Sequence, residues 1–446
     1  MNEKSKRTHK PIVAVVGRPN VGKSTFFNKV VGKRISIVKD LPGVTRDRIY
    51  ADAEWAGRSS TLIDTGGIDL KSGDQITQDI LKQARAAIDV ADVVVLMVDG
   101  REGPVTPDMD AAELLRRSKK PVIVAVNKVD TYDASKAYDF FGLGLTDIHA
   151  VSSEHGLGIG DLLDAVVERF ERNMGEEEDD GALKIAVVGK PNVGKSSLVN
   201  KILGFERVIV SNIAGTTRDA IDTPFQYNGK FYIIVDTAGI RRARGVDNDT
   251  VESYGVLRTM GAIARADVVL IVIDATDEVS EQDARIAGMV VEQGKPCVVV
   301  VNKWDAVDDK DTHTMGKFKA NIDATLSFMS YYRGIFVSAL TGQRVEKIIA
   351  EVDTVYENAN RRLTTGTLNE IIGAAVATNE PPSYKGRKLK VMYVTQAESC
   401  PPTFVIFVND AGLIHFSYRR YLENTLRKSA DFSGTPIKLV FRERND

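Results

Sequence analysis

At 446 residues, with a formal net charge of −2, 27% charged and 43% hydrophobic residues, the chain has the composition of an ordinary globular protein and is too long for one hydrophobic core. Its near balance of charge excludes a globally basic nucleic-acid binder, so an RNA partner would have to meet a local patch. The longest apolar runs, such as Val93–Val98 and Val268–Ile273, fall short of the ~18 residues that span a bilayer, and no apolar signal core follows the N-terminal charges; a cytoplasmic protein without membrane contact is expected.

Residues 1–10 are polar and basic and read as a flexible tail. From Pro11, short β-branched runs alternate with helical segments: a strand at Ile12–Val16, a helix from Lys23, a strand at Leu62–Asp64, a helix near Ile76–Ala91, then strands at Asp92–Asp99 and Val122–Val126. Continuous apolar strands separated by helices predict an α/β fold, a mainly parallel sheet with helices on both faces. The acidic run Glu176–Asp180 has nothing to bury and reads as a linker, and at Leu183 the same pattern restarts. Cys297 falls in an apolar run and reads as a buried thiol; with Cys400 it makes no metal-ligand spacing, which excludes a disulfide framework or a structural zinc. Beyond about Asn360 no third copy follows. A helix at Thr367–Ala377, strands at Lys388–Val394 and Thr403–Val408, a helix at Tyr418–Lys428 and a strand at Ile437–Phe441 predict a small α+β domain. The expected divisions are a tail at 1–10, modules at 11–174 and 183–358 joined by a linker at 175–182, and a last domain at 359–446.

Each module opens on the same loop, Gly17-Arg18-Pro19-Asn20-Val21-Gly22-Lys23-Ser24 and Gly189-Lys190-Pro191-Asn192-Val193-Gly194-Lys195-Ser196. After a strand, such a loop bends so that its N–H groups and the following helix N-terminus face phosphate oxygens. Lys23 and Lys195 then supply positive charge to the β- and γ-phosphates, and the Ser24 and Ser196 hydroxyls are placed for Mg²⁺, a hard cation that prefers oxygen ligands. Taken alone, the loop also fits an ATPase or a small-molecule kinase.

Thr45 and Thr217, each followed by Arg-Asp, are candidates to close on Mg²⁺ and the γ-phosphate and to release after hydrolysis. Asp64-Thr65-Gly66-Gly67 and Asp236-Thr237-Ala238-Gly239 end strands; the aspartates would hold hydrated Mg²⁺, and Gly67 and Gly239 would offer an N–H to the γ-phosphate. One offset of 172 residues relates Gly17 to Gly189, Thr45 to Thr217 and Asp64 to Asp236. Asn127-Lys128-Val129-Asp130 and Asn302-Lys303-Trp304-Asp305 choose the base. Their aspartates can accept the N1–H and exocyclic amine of guanine, while Asn127 and Asn302 reach the N7 edge and the lysine stems pack over the ring. Adenine would turn an acceptor toward that carboxylate, so this motif separates a GTPase from an ATPase. Ser152-Ser153 and Ser338-Ala339 would complete the pocket through backbone N–H groups.

With both motif sets placed, the chain resembles the double-GTPase family called Der or EngA, translation-factor-related bacterial proteins with tandem P-loop GTPase domains followed by a KH-like domain. In the tail the resemblance runs through Tyr393-Val-Thr-Gln396, Pro401-Pro-Thr-Phe404 and Tyr418–Asn424. It implies hydrolysis of GTP to GDP and phosphate, coupled to late assembly of the large ribosomal subunit, with ribosomal RNA as partner and no DNA. The alternative is a GTP-gated partner of an RNA-modifying enzyme. Ras-like proteins follow the Asp-x-x-Gly motif with a water-orienting glutamine; here Ile68 and Ile240 stand there, so hydrolysis needs assistance. The Gly-x-Pro-Asn loops are similar to those of potassium-activated GTPases, which implies K⁺ ligation by Asn20 and Asn192. The Gly-x-x-Gly loop of ordinary KH domains does not occur after Asn360, so RNA contact there would rest on a basic set that includes Arg387, Lys388, Lys390, Arg419, Arg420, Arg427 and Lys428, with Lys385. Arg241, Arg242 and Arg244 pose the same question for the second module.

Overall fold

A computed structural model of the chain describes residues 11–31, 50–65, 81, 84–85, 87–118, 120–130, 134–173, 181–205, 208–210, 222–236, 251–381, 383–384 and 387–443. The chain divides into two compact units, one of Met1–Gly181 with Arg242–Arg265, the other of Ala182–Arg241 with Ala266–Asp446.

In the first unit, β1 (Ile12–Val16), β2 (Tyr50–Trp55), β3 (Arg58–Asp64), β4 (Val93–Asp99), β5 (Val122–Asn127) and β6 (Ile148–Ala150) form one sheet in the order β2-β3-β1-β4-β5-β6. Among the described strand pairs of this sheet, β2–β3 alone is antiparallel. Helix α1 (Lys23–Val31) follows β1, α2 (Thr106–Arg117) lies between β4 and β5, and α3 (Ile159–Asn173) follows β6. Every residue of β1 and β4 is buried, with Val13 and Val95 in one apolar cluster and Ala14 and Val94 in another. Alternate side chains therefore feed opposite faces, which is why these strands read as unbroken apolar runs. Of the helix expected near 76–91, the described positions 81, 84–85 and 87–90 are helical.

The second unit repeats the plan with β7 (Leu183–Val188), α4 (Lys195–Leu203), β8 (Val208–Val210), β9 (Thr223–Tyr227) and β10 (Lys230–Ile234). After α5 (Val251–Arg265) it continues with β11 (Val268–Asp274), α6 (Glu281–Glu292), β12 (Cys297–Asn302), α7 (Thr314–Thr325), β13 (Arg333–Phe336) and α8 (Lys347–Ala359). The sheet order is β13-β12-β11-β7-β10-β9-β8, which repeats the described order of the first sheet and continues to β8 at the antiparallel edge, whose first-module counterpart lies outside the described residues. Helix α5 falls in the first unit: Leu257 and Ala264 share a buried cluster with Ala84, Ala87 and Ala91, and Arg258 Nη2 donates to Asp89 Oδ2 at 3.0 Å. Cys297 is fully buried at the start of β12, where burial pushes its thiol up to about 12, as expected of a structural residue.

Past α8, α9 (Thr365–Thr378) and α10 (Phe416–Ser429) accompany a hairpin, β14 (Ser383–Tyr384) with β15 (Arg387–Lys388), and a three-stranded sheet of β16 (Val391–Glu398), β17 (Thr403–Val408) and β18 (Lys438–Glu443). Leu368, Ile372, Val394, Ile406, Leu422 and Leu426 are among the residues of its separate core. The strand expected at Lys388–Val394 is broken, because Asn409 captures the backbone there: Oδ1 accepts the Lys390 N–H at 2.8 Å and Nδ2 donates to Lys388 O at 3.0 Å. Arg427 also departs from the expected basic surface. Its Nη1 donates to Phe432 O at 3.1 Å and Thr435 O at 2.9 Å, and the guanidinium lies 4.5 Å from the centre of the Tyr331 ring. A charge surrounded by carbonyls and an aromatic face holds structure together and is not free for RNA.

Candidate functional site

The sequence motifs converge because of strand polarity. In both sheets the parallel strands end at one edge, and the phosphate loop, Asp64 or Asp236, and Asn127 or Asn302 all follow or close those carboxyl ends. Gly22 (φ 99°) and Gly194 (φ 94°) take left-handed backbone immediately before α1 and α4. A Cβ would stand 2.2 Å from Asn127 Nδ2 at the first and 2.3 Å from Asn302 Nδ2 at the second, so the loop approaches the base motif this closely only as glycine. Gly194→Ala is expected to destabilise the second module by ~2–4 kcal/mol, combining backbone strain with the clash. An unchanged urea midpoint would show that the loop relaxes instead.

Lys23 Nζ donates to Gly17 O at 2.6 Å and Arg18 O at 2.7 Å; Lys195 Nζ donates to Gly189 O at 2.8 Å and Lys190 O at 2.5 Å. Burial pushes both ammonium groups down to about 8, and at Lys23 the Asp64 charge opposes that shift while Arg18 adds to it. A cation desolvated in this way gains when a polyanion arrives. Val21 and Val193 are buried beneath the loops, whereas Pro19, Asn20, Pro191 and Asn192 are exposed. Asn20 (φ 64°) and Asn192 (φ 65°) are left-handed, a conformation asparagine tolerates better than most residues.

Ser24 Oγ donates to Asp64 Oδ2 at 2.8 Å, so a hydroxyl and a carboxylate from α1 and β3 lie side by side. This hard oxygen pair fits Mg²⁺ shared with phosphate and water. Thr65 Oγ1 donates to Val15 O at 2.7 Å and pins the motif to β1. In the second module Ser196 lies in the first turn of α4, and the Asp236 N–H donates to Asp222 Oδ1 at 2.9 Å. Thr45, Gly66, Gly67, Ile68, Thr217, Thr237, Ala238, Gly239 and Ile240 lie outside the described residues, as do Arg241, Arg242 and Arg244.

At the base end, Asn127 Nδ2 donates to Val21 O at 2.7 Å and its Oδ1 accepts the Ser153 N–H at 2.9 Å. Asn302 repeats both bonds, to Val193 O and from the Ala339 N–H, at 2.9 Å each. The asparagines thus brace three loops against one another, with one amide hydrogen left for a purine edge. Lys128 (φ 66°) and Lys303 (φ 61°) reach Asp99 Oδ2 and Asp274 Oδ2, both at 2.5 Å, which anchors their ammonium groups. Although burial opposes it, the Lys128 and Lys303 hydrogen bonds hold Asp99 and Asp274 below the usual carboxylate range.

Residues 12–128 and 184–303 match the family profile described as "50S ribosome-binding GTPase", and residues 362–442 match "KH-domain-like of EngA bacterial GTPase enzymes, C-terminal". Proteins called GTPase Der from Alkaliphilus oremlandii and Alkaliphilus metalliredigens are each 54% identical over 98% of this chain and 99% of their own. GTPase Der from Clostridium kluyveri is 53% identical over 98% of this chain and all of its own. The chain belongs to the Der family of GTPases. It is a GTP hydrolase with two P-loop modules and a KH-like domain.

Within that family plan the two base sites differ. Asp130 is engaged by Arg101 and by Ser152 Oγ at 2.8 Å, and Arg101 first, then Ser152, holds its carboxyl below the usual range. Asp305 instead keeps Oδ1 buried without a hydrogen-bond partner, an acceptor suited to the guanine edge. Trp304 supports that side, its ring centroid 4.7 Å from that of Phe336. Reading the sequence missed Asp99, Asp274, Arg101 and the acids Asp108 and Asp283. The repeat itself carries the signal: past the first three motifs the offset becomes 175, which links Asp99 to Asp274, Asp108 to Asp283, Asn127 to Asn302 and Asp130 to Asp305.

Proposed function

We propose that the chain couples GTP hydrolysis to late assembly of the large ribosomal subunit in the cytoplasm, acting as a nucleotide-gated switch on ribosomal RNA. Its parts are GTPase domains at 11–174 and 183–358 and a KH-like domain at 359–446. The observation that carries this reading is the full-length likeness to GTPase Der, with both modules matching the profile described as 50S ribosome-binding. Exposed Arg420 and Lys428, eight residues apart on α10 and so on one side of it, offer the KH-like domain a basic edge for RNA phosphate. Co-sedimentation with large ribosomal subunits in K⁺ and Mg²⁺ tests the reading. Retention with a non-hydrolysable GTP analogue and release with GDP is expected; no association in either state sinks it.

Water attacks the γ-phosphate directly, and the charge that develops on its oxygens is stabilised by Lys23 or Lys195 and by N–H groups of the loop and of Gly67 or Gly239. Ser24, Thr45 and Asp64 in one site, and Ser196, Thr217 and Asp236 in the other, would hold Mg²⁺, which neutralises phosphate charge when bound. With isoleucine at 68 and 240, no side chain at those positions can orient the water. Asn20 and Asn192 would hold K⁺, which would supply positive charge to offset that on the phosphates, the task an arginine finger performs elsewhere. Turnover is accordingly expected to be at least about tenfold faster in KCl than in NaCl of equal ionic strength, a modest share of the range an arginine finger covers. Equal rates in the two salts would remove K⁺ from the scheme.

A further inference from the structure

Both phosphate loops carry a cation at their second position, and both cations run to a carboxylate that folding has taken out of water. Arg18 Nε donates to Asp108 Oδ1 at 2.9 Å, and Lys190 Nζ lies 2.9 Å from Asp283 Oδ2. Asp108 and Asp283 are almost completely buried, each in the first turn of its helix, α2 or α6. There they also accept backbone N–H groups, from Val105 at 3.4 Å and from Ser280 at 2.9 Å, which locks the carboxylates to the helix frame. The same loop residues present their carbonyls to the phosphate lysines: Arg18 O accepts from Lys23 and Lys190 O from Lys195. We infer that Asp108 and Asp283 are positioning residues for GTP hydrolysis, setting the placement of Lys23 and Lys195 through the second residue of each loop. The inference rests on the assignment of those two lysines to the nucleotide phosphates.

Stability alone does not account for the arrangement. A buried ion pair is often no better than apolar residues of the same volume, and each copy leaves a polar atom buried without a partner, Arg18 Nη2 in one and Asp283 Oδ1 in the other. What the two copies share is the connection from helix to cation to carbonyl to lysine, built with arginine in one loop and lysine in the other. The shared element is therefore a fixed charge pair, not one particular side chain.

The full-length protein with Lys195→Ala isolates turnover by the first site. In that background Asp108→Asn keeps an acceptor for the Val105 N–H but removes the buried charge that holds Arg18 Nε, leaving the exposed Glu102 carboxylate 3.0 Å from Arg18 Nη1. It is expected to lower kcat by about tenfold or more with KM within about threefold, since a misplaced group weakens the transition state more than the ground state. Arg18→Lys copies the second loop's own pair and is expected to keep about half of kcat or more. The inference is overturned if Asp108→Asn retains kcat within about twofold, or if Arg18→Lys falls as far as Asp108→Asn. Should a thermal melt show Asp108→Asn unfolded, Asp283→Asn in a Lys23→Ala background is read by the same criteria, and unfolding of both would mark the pairs as structural and overturn it too. Lys23→Ala added to Lys195→Ala is the control. Turnover that survives it would refute the phosphate assignment of the lysines, a failure distinct from that of the relay.

Discussion

Lys23→Ala is expected to abolish GTP turnover at the first site and leave the second running, and Lys195→Ala to do the reverse. Each lysine is held at its loop by two carbonyls, of Gly17 and Arg18 or of Gly189 and Lys190, with burial lowering the proton affinity of both. The ammonium is thus placed before the phosphates arrive, and little reorganisation is needed as charge develops on the γ-phosphoryl oxygens. Removal of one such preorganised donor costs on the order of 100- to 1,000-fold in kcat. Single-turnover hydrolysis of the two variants, compared with the parent, reads this directly. Loss of all activity from either change alone would mean that the two sites operate only together.

Asp305→Asn is expected to weaken GTP at the second site by roughly 10,000-fold and to make xanthosine triphosphate the preferred nucleotide there. Guanine presents two donors, N1–H and the exocyclic amine, to the carboxylate; xanthine keeps N1–H but replaces the amine by a carbonyl. An asparagine amide, one acceptor and one donor, matches the second pattern and leaves a buried mismatch with the first. The buried and unpartnered Oδ1 of Asp305 makes this the sharper of the two sites for the test. At Asp130 the carboxylate already serves Arg101 and Ser152, so the same change there perturbs more than the base contact. Titration of both triphosphates against the Lys23→Ala protein with and without Asp305→Asn measures the switch, and unaltered GTP affinity would remove Asp305 from base recognition.

Much of the architecture is legible in the chain because it depends on local patterns. Ile12–Val16 and Thr403–Val408 are strands with the expected boundaries, being apolar but for Thr403 and bounded by turn residues. The strand anticipated at Lys388–Val394 failed for a reason no local pattern carries, since Asn409, distant in sequence, takes the hydrogen bonds of Lys388 and Lys390. Arg427 was misjudged in the same way. On a helical wheel it belongs with Arg420 and Lys428, yet the Phe432 and Thr435 carbonyls and the Tyr331 ring claim it.

The sequence by itself determined the α/β class, the doubling of the GTPase module and the chemistry at each loop, because glycine spacing, apolar runs and the asparagine-lysine-aspartate motif are short-range and recur in the same order. Only the tertiary structure decided which side chains serve those motifs. The ties of Lys128 to Asp99, of Arg18 to Asp108 and of Asn127 to Val21 and Ser153 join residues far apart in the chain that meet where parallel strands end at one edge. It likewise assigned helix α5 to the first unit, since an amphipathic stripe specifies that a helix must be covered but not which apolar surface covers it.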